Sequence, residues 1–177
     1  MGPDYPDPDR TVAGPIVREE PTMLAYLWRF LHLVFAFSFV GALTVAEWNG
    51  RAARATGDWS RRAALWGVVR TTTQVLGLGS LVLLGLLGNL LAVGLGLPMG
   101  GIWMGIVNGL WVVGLLLHLL VALPASGRLV STCATAASGS PPAPYAAALA
   151  RWRAANVLLS VFYVAMLALM VLRPLFP

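Results

Sequence analysis

The chain contains no lysine. Its twelve basic side chains are all arginine, set against seven acidic ones in 177 residues. Charged residues make up 11% of the sequence, where a soluble domain carries about 25%. That is too few to cover a water-facing surface. A single cysteine, Cys133, excludes an intramolecular disulfide, and with only two histidines in the chain no zinc site can be assembled. Cys133 reads as a spectator in a loop. The arginines flank apolar runs and do not gather on one face, which excludes a nucleic-acid surface. They are placed as helix-end anchors that snorkel to lipid headgroups. From Thr71 to Gly127 there is no formal charge at all.

What is present is apolar sequence, 58% of the chain, in stretches of membrane-crossing length. About 20 residues at a rise of about 1.5 Å cross a hydrocarbon core of about 30 Å. Four stretches qualify, at about residues 23–46, 66–93, 102–123 and 154–172. They predict an all-α, up-and-down four-helix transmembrane bundle over residues 23–177, preceded by a polar, proline-punctuated tail at 1–22. The tail lacks an apolar h-region and does not read as a signal peptide. The charge-free run breaks at Gly94–Gly101, where glycine and proline cluster. Asp58 is placed to N-cap the second helix. Pro124 is expected to end the third span, and residues 125–150 read as a small-residue linker.

Arg51, Arg54, Arg61 and Arg62 lie in the first connection, and Arg128, Arg151 and Arg153 in the third. The second has none. The positive-inside rule places the first and third in the cytoplasm and both termini outside it, in a multi-pass protein of the cell membrane. Trp28, Trp48, Trp66, Trp103 and Trp152 fall near span ends, as in an aromatic belt.

Apolar burial cannot drive helix association in lipid, so close packing must. Gly101, Gly105 and Gly109 form a GxxxGxxxG row on the third span, and Gly77, Gly79, Gly85 and Gly88 enrich the second. These spans are expected to pack as a hairpin through the row, so that Gly105→Leu should weaken the bundle. Asn89 and Asn108 need hydrogen-bond partners at that depth.

Ionisable groups in a span are functional candidates. His32 stands in the first span, with Arg29 one turn earlier on the same face. His118 stands in the third. Glu47 and Arg70 read as an interfacial ion pair or as two anchors. Imidazole is a common axial ligand of haem, but span centres near Val34 and Val113 put the two histidines roughly 10 Å apart along the membrane normal, too far for one iron. A single ligand, His32, with Arg29 for a propionate, is the alternative. No nucleophile–base pair, phosphate loop or metal motif is present.

The run Trp28-Arg29-Phe30-Leu31-His32-Leu33-Val34-Phe35 and the close Met170-Val171-Leu172-Arg173-Pro174 resemble those of small bacterial four-helix integral membrane proteins of unknown function. The Leu-His pattern is also similar to that of the copper-resistance D-type membrane proteins and of the oxygen-independent membrane protoporphyrinogen oxidase. The latter likeness implies haem b on a first-helix histidine, here His32. That family's membrane lysine has no counterpart in a chain without lysine, so the resemblance implies haem binding and not the oxidase reaction. Two functions follow as expectations. One is a non-catalytic accessory or scaffold subunit, packed in the bilayer against other membrane subunits. The other is a haem b-binding redox protein using His32, with Arg29 and His118 as accessory candidates.

Overall fold

A computed structural model describes residues 23–136 and 143–172. The N-terminal tail and Arg173-Pro174 lie outside the described residues. Four long helices pack antiparallel. The first is α1 (Met23–Ala55). The second joins α2 (Trp59–Thr71), a π-helical stretch at Thr72–Leu78 and α3 (Gly79–Gly94). The third joins α4 (Ile102–Leu117), a π-helical stretch at His118–Ala122 and α5 (Leu123–Ala134). The fourth is α6 (Ala143–Leu172). Each is long and apolar enough to cross a membrane.

The surface is inside out relative to a soluble bundle. Only 17% to 33% of the most apolar stretch of each span is buried. Large side chains such as Phe37, Leu120, Val161 and Val171 point outward, while alanines at 25, 36, 42 and 46 occupy the inner face of α1. Water would not tolerate that outer surface. The chain is an integral membrane protein of four spans.

The helices outrun the apolar stretches. Their lengths of 33, 36, 33 and 30 residues correspond to about 45–54 Å, against a core of about 30 Å. The excess is at the end that carries Arg51, Arg54, Arg61, Arg62, Arg128, Arg151 and Arg153. Residues 125–134 and 143–150 are helical there, not linker. The helices form a collar beyond the hydrocarbon, and the collar has its own core: Ala53, Trp66, Val69, Leu129, Tyr145 and Trp152. Here water surrounds the bundle and apolar burial does stabilise it.

Two expectations change for that reason. Trp66 and Trp152 are not belt residues: they are 0% and 1% exposed and meet edge to face, with ring centroids 5.0 Å apart. Cys133 is no loop spectator but is buried in the same core. Trp48 does remain exposed.

Pro124 does not end the third span. Proline lacks the N–H that would bond four residues back and its ring crowds that carbonyl. The π-helical stretch before it shifts the register, with the Leu123 N–H bonding the His118 carbonyl five residues back. That local rewinding lets the helix continue through the proline.

The connections follow local chemistry. Arg62 closes the first by donating from Nε to the Ala53 carbonyl (2.9 Å) and from Nη2 to the Thr56 carbonyl, while its guanidinium lies 4.1 Å from the Trp59 ring centroid. A cation thus satisfies the orphan carbonyls at the end of α1. The second connection is a Schellman turn. The Gly96 N–H bonds Val93 O and the Leu97 N–H bonds Ala92 O. Gly96 has φ +64°, a conformation glycine takes without steric cost. Asp58 caps α2 as the sequence predicts, its Oδ1 accepting from the Ser60 N–H (2.8 Å), the Ser60 hydroxyl (2.9 Å) and the Arg61 N–H (3.5 Å).

Hydrogen bonds from the Ser60 hydroxyl and from the Ser60 and Arg61 amides hold the Asp58 carboxyl below its ordinary value. A depressed folded-state value contributes stability above the unfolded pKa of about 4, lost as pH falls through the folded value. Asp58→Ala is expected to lower the Tm in detergent at pH 7, with the gap to wild type closing below pH about 4; thermal melts at both pH values check this.

Candidate functional site

The spans meet in the membrane through ring N–H groups that donate to helix carbonyls. His32 Nδ1 of α1 donates to the Leu84 carbonyl at 3.1 Å. Trp111 Nε1 of α4 donates to the Leu81 carbonyl at 2.8 Å. His118 Nε2, at the start of the π-helical stretch of span three, donates to the Thr73 carbonyl at 2.9 Å. A carbonyl oxygen only accepts, so each facing nitrogen carries the proton.

All three acceptors lie on span two, and each stands four residues before a glycine. Thr73 precedes Gly77, Leu81 precedes Gly85 and Leu84 precedes Gly88. A helical Cβ leans toward the N-terminus and covers the turn before it. Glycine leaves that carbonyl bare. A Cβ at Gly77 would stand 2.8 Å from His118 Cε1, one at Gly88 would stand 3.0 Å from His32 Cε1, and one at Gly85 would fall within the Trp111 indole. The carbonyl has a second lone pair for the ring donor. In lipid such a bond is worth about 0.6 kcal/mol on average and up to about 1.7.

These glycines differ from the row expected to pack. A Cβ at Gly105 or Gly109 meets nothing within 4 Å, and one at Gly101 meets only Pro98 of its own turn. The four-residue spacing does place the row on one face, but that face is turned away from the other described residues. Spans two and three instead join through Asn89 and Asn108, whose amides exchange reciprocal bonds of 3.0 and 3.1 Å. Asn89 also donates to the Gly85 carbonyl. Span four is tied by Trp103 Nε1, which donates to the Leu169 carbonyl at 2.9 Å.

His32 and Arg29 come together on the wall of a cavity of about 490 Å³, at the end of the bundle remote from the arginine collar. All four spans contribute, including Gly88, Asn89, Met104 and Met166. Because Nδ1 of His32 is committed to Leu84, Nε2 carries the lone pair, and it makes no hydrogen bond among the described residues. His118 does not line this cavity. It is 1% exposed and borders a separate space of about 10 Å³ in the middle of the bundle, together with Thr73, Gly77 and Asn156. Its Nδ1 is buried without a hydrogen-bond partner among the described residues. The two histidines therefore serve different spaces and different carbonyls.

Glu47 does not pair with Arg70. Its Oε1 accepts from Arg51 Nε (2.9 Å) and Arg54 Nη2 (3.3 Å), and its Oε2 from Asn156 Nδ2 of α6 (3.4 Å). Arg70 lies instead beside Gly127 of span three. Among the described residues no group of three or more metal-binding side chains is present. Sequence reasoning overlooked Trp111 and the carbonyls of Thr73, Leu81 and Leu84; the glycine four residues downstream is the signal that marks them.

Comparison of the chain with protein families, curated proteins and solved structures finds no match. The likenesses drawn above thus rest on their short motifs alone.

Gly85→Ala is expected to destabilise the bundle by about 1–3 kcal/mol through overpacking against Trp111, whereas Gly105→Ala leaves it unchanged. Thermal unfolding of the two variants in one detergent checks the contrast.

Proposed function

We infer that this protein binds an amphipathic cofactor in the cavity beneath His32, and that haem b is the cofactor whose chemistry the residues fit. The observation that carries the reading is the state of His32. A ligating histidine characteristically donates its remote N–H to a carbonyl, which fixes the tautomer and leaves the other nitrogen for the metal. His32 Nδ1 donates to Leu84, and Nε2 makes no hydrogen bond among the described residues. The cavity volume of about 490 Å³ falls in the range of about 300–1,000 Å³ for cofactor-sized ligands. Arg29 supplies a cation at the wall for a propionate. The thioethers of Met104 and Met166 lie on the same lining, and thioether is itself a haem ligand type.

Bound haem supplies one-electron chemistry. The protein's own residues hold and orient the group: the Leu84 carbonyl fixes the imidazole, Gly88 gives the ring room, and apolar walls exclude water. A second reading, an accessory or scaffold subunit, draws on Gly105 and Gly109, which offer a Cβ-free face to whatever lies outside the chain. It calls for another membrane subunit on span three and is compatible with a bound cofactor.

Protein purified after haem-sufficient expression is expected to show a Soret band and a reduced-minus-oxidised α band. Both should vanish in His32→Ala and persist in His118→Ala, which removes an equivalent ring from the bundle. A colourless wild-type preparation contradicts the cofactor reading.

A further inference from the structure

We propose that the slot between α1 and α6 at the arginine end is a binding site for one anionic phospholipid. The acyl chain lies in the slot and the phosphate sits between Arg51 and Arg153. The slot has a volume of about 490 Å³ and, among the described residues, only these two helices line it. It opens on the outside of the bundle, where the solvent is hydrocarbon, so lipid is what enters it.

The walls suit a chain. Val40, Leu43 and Val164 are apolar. Of the three hydroxyls on the lining, two are turned inward on their own helices, Thr44 Oγ1 donating to the Val40 carbonyl (2.9 Å) and Ser160 Oγ to the Asn156 carbonyl (2.9 Å). Thr44 and Ser160 thus leave carbon facing the slot, and the third hydroxyl is carried by Tyr163, whose ring stacks at a tilt on Phe39.

The mouth suits an anion. Two guanidinium groups, those of Arg51 and Arg54, share the one carboxylate of Glu47, which leaves one positive charge in excess. The Arg51 side chain is 71% exposed. On α6, Arg153 lies three residues before Asn156 and seven before Ser160, both on the slot lining, so it shares their face one turn nearer the mouth. It is exposed and has no ion pair among the described residues. A planar, weakly hydrated guanidinium is the side chain that grips phosphate in two places. The depth also fits, because Glu47 and Arg51 stand where α1 leaves its uncharged run.

The experiment is thermal unfolding of the purified full chain with added phosphatidylglycerol, and separately with phosphatidylcholine of the same acyl chains. Phosphatidylglycerol is expected to raise the Tm by about 5 °C more than phosphatidylcholine. The excess should disappear in Arg51→Gln/Arg153→Gln, where Arg54 still neutralises Glu47. It should survive in Arg61→Gln/Arg128→Gln, which removes the same charge from the same end away from the slot. Should the double variant at the slot fold poorly, native mass spectrometry of Arg153→Gln alone reads retention of the lipid directly, and loss is expected. Equal stabilisation by the two lipids overturns the site. So does an equal loss in both double variants, which would mean diffuse attraction by the whole collar.

Discussion

A backbone carbonyl four residues ahead of a glycine is the point on which this bundle turns. In a bilayer the usual driving force for packing is missing, because the space between helices and the space around them are equally apolar. Something polar must therefore specify which helix faces which. Span two provides it by exposing three carbonyls, and spans one and three answer with ring N–H groups from His32, Trp111 and His118. The rings are wide and flat, and only the missing Cβ lets them approach. Glycine thus acts here as a window onto the backbone more than as a smooth packing surface.

The same arrangement ties fold to site. His32 is held by a structural bond at one nitrogen and thereby offers the other to the cavity. Residues that pack the bundle, His32, Gly85, Gly88 and Trp111 among them, also line the cavity. Farther along the helices the solvent changes and the logic changes with it. Beyond the hydrocarbon the collar is held as a soluble protein would be, with Trp66 against Trp152 and Leu129 beneath them, and its charges are handled locally. Arg62 closes the end of α1, while Arg51 and Arg54 converge on Glu47.

Sequence carried the architecture well. Uncharged runs of the right length, the Gly94–Gly101 break and the Asp58 cap follow from composition and local chemistry, and so does the need of Asn89 and Asn108 for partners. The placement of Arg29 with His32 follows from helical spacing. The glycine row on span three shows the limit. Spacing says that Gly101, Gly105 and Gly109 share a face, but not whether that face meets protein or lipid, since neither choice leaves a hydropathy signature. Trp66 and Trp152 were misplaced for a related reason: nearness to a span end does not distinguish a belt from the core of a collar that continues past the membrane. The helical extent of residues 125–134 was hidden because small and hydroxylic residues favour linkers when nothing packs on them, and Pro124 concealed the π-helical rewinding that bypasses it.

Because the chain has two histidines, the tautomer of each is directly readable. The two carbonyl contacts require opposite ones. In the neutral rings, nitrogen-15 NMR of the labelled protein in detergent or lipid should find the proton of His32 on Nδ1 and that of His118 on Nε2. A proton on Nε2 of His32 or on Nδ1 of His118 would mean that the facing carbonyls are not accepting from these rings, and the glycine-bared contacts would no longer explain the bundle.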